Sequence, residues 1–230
     1  MVRAMSLPEP RIDVRVVGRD REPVVVIDGF SGQAAELRAA GERLAYAPMG
    51  ASYPGVRAQT GSELIDARAE LLVAVVRKVF GARRGFRLQG CAYSLVTHAP
   101  ADLHPLQRIP HYDVAEADMV AGMFYFSEAD GGTAFYRHRA TGYEAITPER
   151  EPHYNKALQE EVAAEGLPEA RYMAGDDARF EQIGAVEAKP DRFALYRGRL
   201  LHSGIIPEPD ALSEDPGRGR LTLNSFMMLG

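Results

Sequence analysis

A single cysteine, Cys91, is all the thiol chemistry that the 230-residue sequence holds, so no internal disulfide can form. Long apolar runs are missing as well. The opening stretch MVRAMSLPEPRIDVRVV has none long enough for a signal peptide or a membrane span, and a reducing cytoplasm is the expected location. Nor is charge of either sign gathered into blocks. The 27 basic and 32 acidic residues are spread along the chain for a net charge of −5, which argues against a nucleic-acid or membrane-surface binder. Internal repeats and low-complexity tracts are absent. What is present is a 46 % hydrophobic composition, enough at this length for one sizeable core, and a single domain over residues 1–230 is expected.

Residues 23–28, PVVVID, form a β-branched run stopped by Gly29, and Ser31 then offers an N-cap to the helix-forming stretch that follows. From Ser62, apolar residues at helical spacing (Leu64, Ile65, Leu71, Leu72, Val75, Val76, Val79) predict one buried-face helix ending at Gly81, with Arg68 the single break in its stripe. Beyond Phe86 the pattern changes to short β-rich runs alternating with turn residues. Seven such runs, from FRLQGCAYSLVTH to RLTLNSFMML, predict an antiparallel sandwich or barrel over residues 86–230, with residues 1–85 as supporting strand and helix. The polar, helix-like residues 148–166 read as an insertion capping one end of it.

Within LQRIPHYDV, read as one of those strands, His111 and Asp113 point to the same face about 6.8 Å apart along the chain, close enough to share one ion. A third ligand must come from elsewhere, and His202 in RGRLLHSGIIPE is the best candidate. Two histidines and one carboxylate with open positions suit a non-haem Fe(II) centre. A His-x-Asp triplet alone is a weak motif, however, and His98 and His104 leave a three-histidine zinc site open as a rival.

An ordered series of segments extends the pattern: Tyr93 in CAYSL, His111-x-Asp113, the hairpin MFYFSEADGGTAFY with Gly131 and Gly132, KPDRFALYRGRLLHSG with His202, and the closing RLTLNSFMML beginning at Arg220. In this order they resemble the Fe(II)- and 2-oxoglutarate-dependent dioxygenases of the prolyl hydroxylase-like group, over about residues 86–230. The segment GGTAFYRHR is similar to stretches in an uncharacterised bacterial branch.

The resemblance implies an α+β, mainly β fold: a double-stranded β-helix (jelly roll, cupin-like) core with N-terminal helices packed on it and a helical insertion. It implies Fe(II) held by His111, Asp113 and His202, with 2-oxoglutarate and O2 as cosubstrates. Because position 113 keeps its carboxylate, hydroxylation is favoured over halogenation. Arg220 would bind the distal carboxylate of 2-oxoglutarate, and Tyr93 and Tyr125 look like the hydroxyls that assist it. Arg220, Thr222, Asn224 and Phe226 share one strand face, which puts Asn224 in the same pocket. The stretch from His202 to Arg220 is longer than the family pattern, which makes Arg218 the second choice. Arg137 and Arg139 are either a solvated basic run or a cationic rim for substrate, and His104 either lines the substrate entrance or is solvated. The expected partner is a small-molecule or peptide substrate, with no nucleic acid and no membrane. The alternatives are a non-catalytic jelly-roll binding module and a cupin-like enzyme with a different metal.

Overall fold

The computed structural model describes residues 9–49 and 53–230. In chain order the elements are β1 (Arg11–Val17), β2 (Glu22–Asp28), α1 (Ala34–Gly41), β3 (Ala47–Pro48), β4 (Gly55–Thr60), α2 (Glu63–Asp66) and α3 (Ala69–Phe80). They continue with β5 (Phe86–Val96), β6 (Met119–Tyr125), β7 (Gly132–His138), α4 (Glu151–Glu165), β8 (Phe180–Glu187), β9 (Arg192–Arg197), β10 (His202–Ile205) and β11 (Arg220–Leu229).

Two antiparallel sheets result, an eight-stranded one in the order β1-β2-β9-β6-β11-β5-β4-β3 and a three-stranded one in the order β10-β7-β8. An isolated bridge between His111 and His202 adds a fourth, one-residue row to the smaller sheet. From β5 onward the chain passes from large sheet to small and back: β5, the His111 bridge, β6, β7 and β8, β9, β10, β11. That is the connectivity of an eight-stranded jelly roll. The double-stranded β-helix is therefore the fold, and β1 and β2 extend one edge of its large sheet while β3 and β4 extend the other.

The period of two sorts the strands between two cores. Val25, Ile27, Val120, Phe124, Phe193, Leu195, Leu221 and Leu223 face outward and pack with Leu72, Val75, Val76 and Phe80 of α3. Phe30 joins them, its ring stacked 4.3 Å from that of Phe193. The alternate residues Val24, Val26, Ala121, Tyr125, Ala194 and Tyr196 face inward against Phe135, Val186 and Leu200. This explains the unbroken PVVVID run: β2 is covered on both faces, so no polar alternation is left.

Three expectations about elements need correction. The helix read as continuous from Ser62 is split into α2 and α3 at Arg68, whose Nε donates to Phe30 O at 2.5 Å. Ser31 does not cap α1, which starts behind Gln33 without a side-chain cap. Its hydroxyl donates instead to Asp191 Oδ1 at 2.5 Å, a carboxylate that also takes the Ser31 and Gly32 amides. Finally, RIPHYDV is not a strand: Pro110 has no N–H to extend a ladder, and only His111 pairs. No described helix is long and apolar enough to cross a membrane.

Candidate metal centre

His202 opens β10 and exchanges both backbone hydrogen bonds with His111, at 2.9 and 2.8 Å. This pair holds the two imidazoles side by side, with ring centroids 4.3 Å apart. Asp113 is placed by its own amide, which donates to Gly198 O at 2.7 Å. A Cβ at position 198 would lie 3.3 Å from Asp113 Cβ and Oδ2, a tight contact that would press on the carboxylate.

One ligand atom from each of His111, Asp113 and His202 falls within 4.8 Å of the others, and among the described residues no second cluster of this kind occurs. Asp113 Oδ1 is 4.0 Å from His111 Nε2, and Asp113 Oδ2 is 3.8 Å from His202 Nε2. Three observations fit a divalent cation at their centre. Asp113 Oδ2 is buried with no hydrogen-bond partner, a costly state for a carboxylate oxygen that a cation would relieve. His202 Nδ1 lies 2.7 Å from Leu200 O, which can only accept, so the ring proton sits on Nδ1 and Nε2 presents its lone pair to the cluster. Both imidazoles are also held neutral. Burial pushes the pKa of His202 down to about 4. His111 is lowered by the surrounding protein, by His202 and by Arg57, although 55 % of its side chain opens on the cavity and leaves it better hydrated.

These shifts set a pH dependence for the metal-free protein. A histidine whose folded pKa lies below its unfolded value of about 6.5 contributes stability that is complete above 6.5 and lost as pH falls toward the folded pKa. For His202, which is 6 % exposed, the loss between pH 6.5 and 4 is up to about 3 kcal/mol. Thermal melts in chelator should therefore drop more steeply over this range for the native protein than for His202→Gln. Parallel pH profiles would show that the imidazole is not the group being titrated.

The triad opens on a cavity of about 490 Å³ between the two sheets. Its far wall is the inner face of β11, where Arg220, Thr222, Asn224 and Phe226 all line it, and α4 contributes Tyr154, Asn155 and Leu158. Arg220 is 9 % exposed; its Nε donates to Asp130 O at 2.6 Å and its Nη2 to Gly132 O at 3.1 Å. Those carbonyls are presented by the Gly131-Gly132 turn, at φ 73° and 137°, where an added Cβ would lie 2.2 Å from Ile205 O and 2.1 Å from Val186 O. The Asp130 carboxylate is engaged with the Phe126 and Ser127 amides, both at 2.9 Å. No carboxylate among the described residues forms an ion pair with Arg220, so its remaining N–H groups are available to an anion in the cavity.

A family model described as "Family of unknown function (DUF6445)" matches residues 8–227. The chain belongs to that family. No curated protein matches this DUF6445 member. Among solved structures it is similar to HygX from Streptomyces hygroscopicus with nickel and 2-oxoglutarate bound, at 16 % identity over 91 % of this chain and 84 % of that one, with a TM-score of 0.49. It is also similar to SnoN, a non-heme alpha ketoglutarate dependent epimerase from nogalamycin biosynthesis, at 14 % identity over 91 % and 79 % of the two chains and a TM-score of 0.48. A third is an N-substituted L-amino acid dioxygenase from Burkholderia ambifaria AMMD, at 11 % identity over 89 % and 80 % and a TM-score of 0.38.

Several sequence-based expectations for this DUF6445 chain are overturned by position. Tyr93 faces the outer core, stacked on Phe126, and its hydroxyl donates to Leu37 O at 2.9 Å, away from the cavity. Tyr125 lies on the inner face opposite Thr222, its buried hydroxyl 2.7 Å from that of Thr133, which lines the cavity. Arg218 sits exposed in the turn before β11, its amide bonded to Asp215 O, because the strand begins only at Arg220. Arg137 is no rim: it is buried between Glu144 and Glu181, 2.5 and 2.6 Å away. Arg139 pairs with Asp176 on the surface. Exposed His104 caps a short turn through Nδ1, and neither it nor His98 belongs to the triad cluster or lines the cavity. Sequence reasoning in turn missed Arg57, which lines the cavity from β4.

Proposed function

We propose that this protein is an Fe(II)- and 2-oxoglutarate-dependent dioxygenase that hydroxylates a small-molecule or peptide substrate. The observation that carries this reading is the shared cavity: a neutral two-histidine, one-carboxylate cluster on one side and a buried arginine without an ion-pair partner on the other. Bound there, iron with 2-oxoglutarate supplies the activation of O2 and the oxidation of a C–H bond. His111, Asp113 and His202 would hold the ion and leave its other positions open. Arg220 would pair with the distal carboxylate of the cosubstrate, with Thr222 and Asn224 of the same strand face beside it. The inner-face residues exclude bulk water from the oxidising centre. Tyr154, Asn155 and Leu158 put the α4 insertion where substrate selection is made. A cytoplasmic location agrees with one buried free cysteine and an iron site that must stay reduced.

The test is turnover. Fe(II)-loaded protein should convert 2-oxoglutarate to succinate with consumption of O2, slowly even without the true substrate, and His202→Ala should not. Native protein that carries iron yet forms no succinate with any candidate substrate would favour a binding module.

A further inference from the structure

The cavity holds a second guanidinium besides that of Arg220. Arg57 projects from β4 onto the inner face, in the row that runs through Ser94 of β5 and Thr222 of β11 to Tyr125 of β6. Gly55 lies in the row of Val96 and Arg220, so Arg57 is two strands and two residues from Arg220, about 12 Å between Cα atoms by ordinary sheet spacings. Its guanidinium carbon sits 4.2 Å over the Tyr53 ring, which fixes its orientation. Its Nε is buried with no hydrogen-bond partner, and no carboxylate among the described residues makes an ion pair with it. Among the described residues Asp113 is the only carboxylate lining the cavity, and the metal would claim it. Arg57 lines the same cavity as His111, Asp113 and His202, which puts it on the wall that faces the reacting centre.

We infer that Arg57 is a substrate-binding residue and that the substrate is a carboxylic acid. This rests on the dioxygenase reading and names the class of molecule it acts on. A half-buried, stacked cation whose Nε–H is buried and unused is preorganised for an anion, and a carboxylate matches its planar fork in two-point contact. The rest of the wall around the triad is largely apolar or aromatic: Ile109, Met123, Leu158, Phe226. The ligand is thus a monocarboxylate with an apolar body, bound by its acid group at Arg57 and by its carbon skeleton against those side chains, beside the iron.

The experiment uses the full chain loaded with Mn(II) and 2-oxoglutarate, and follows by NMR the paramagnetic relaxation of three acids, hexanoate, phenylacetate and benzoate, each against its own primary amide. At least one acid should be relaxed and its amide not. Arg57→Gln should weaken that acid's binding roughly tenfold or more, as expected for losing a charge-assisted hydrogen bond, while Arg57→Lys recovers part of it. The affinity of Arg57→Gln for 2-oxoglutarate should match that of the native protein, which also shows that the variant is folded. Acids and amides that relax alike, no acid relaxed at all, or an acid preference that survives in Arg57→Gln would overturn the inference. Weakened 2-oxoglutarate binding in Arg57→Gln would overturn it too and assign the residue to the cosubstrate. Native protein that binds neither Mn(II) nor 2-oxoglutarate would instead remove the dioxygenase reading on which the inference stands.

Discussion

His202→Ala and Asp113→Ala should each lose stoichiometric Fe(II) binding, with a fall in affinity beyond the roughly 10- to 100-fold that losing a group which only orients a ligand costs a metal site. The two should part company in stability. His202 is packed against Tyr196, ring centroids 4.8 Å apart, so its truncation leaves a gap and destabilises the metal-free protein. Asp113 is a half-buried carboxylate whose Oδ2 is buried without a partner and whose pKa is raised by that burial. Removing it should leave the metal-free protein as stable as before or more stable by about 1–3 kcal/mol. Melts in chelator and iron content by elemental analysis measure both effects. A site kept for function rather than for folding gives lost metal with retained or increased stability. A marked loss of metal-free stability in Asp113→Ala would make the carboxylate a structural group.

Arg220→Gln should leave metal content unchanged and weaken 2-oxoglutarate binding by roughly 10- to 100-fold, the cost of one strong charge-assisted contact. The amide can still donate to the carbonyls of Asp130 and Gly132, so the hairpin that Arg220 ties down is kept. Calorimetric titration of the Mn(II)-loaded variant separates the two consequences. Undiminished affinity would take the distal carboxylate away from Arg220; with Arg218 exposed in its turn, Arg57 would be the remaining cavity guanidinium to carry it.

Much of this arrangement could be read from the chain because it follows period-two alternation. RLTLNSF puts Arg220, Thr222, Asn224 and Phe226 on one face, and all four line the cavity. The β-branched run of β2, the end of α3 at Gly81 in the left-handed conformation and the helical insertion are equally local signals. The remainder depends on contacts between distant residues. Tyr93 and Tyr125 are both strand tyrosines, but outward and inward faces differ by one residue of register, which no single strand specifies. Arg137 reads as part of a basic surface run and is buried because Glu144 folds back on it from the turn after β7 and Glu181 reaches it from β8. β1 is not marked as a core strand although RIDVRVV alternates, because it is an edge strand exposed on both faces, with Ile12, Val14 and Val16 exposed as well as Arg11, Asp13 and Arg15. Arg57 was invisible for a related reason: β4 is short, and a lone arginine gains meaning only from the cavity opposite it.

The triad and Arg220 together should bind an iron and 2-oxoglutarate pair. Anaerobic titration of Fe(II)-loaded protein with 2-oxoglutarate, followed by the weak visible charge-transfer absorption of an iron 2-oxoacid chelate, tests it most directly. A band that saturates at one equivalent, is absent in His111→Ala and needs more 2-oxoglutarate in Arg220→Gln is the result predicted. A folded protein with iron in place and no band at saturating 2-oxoglutarate would contradict it.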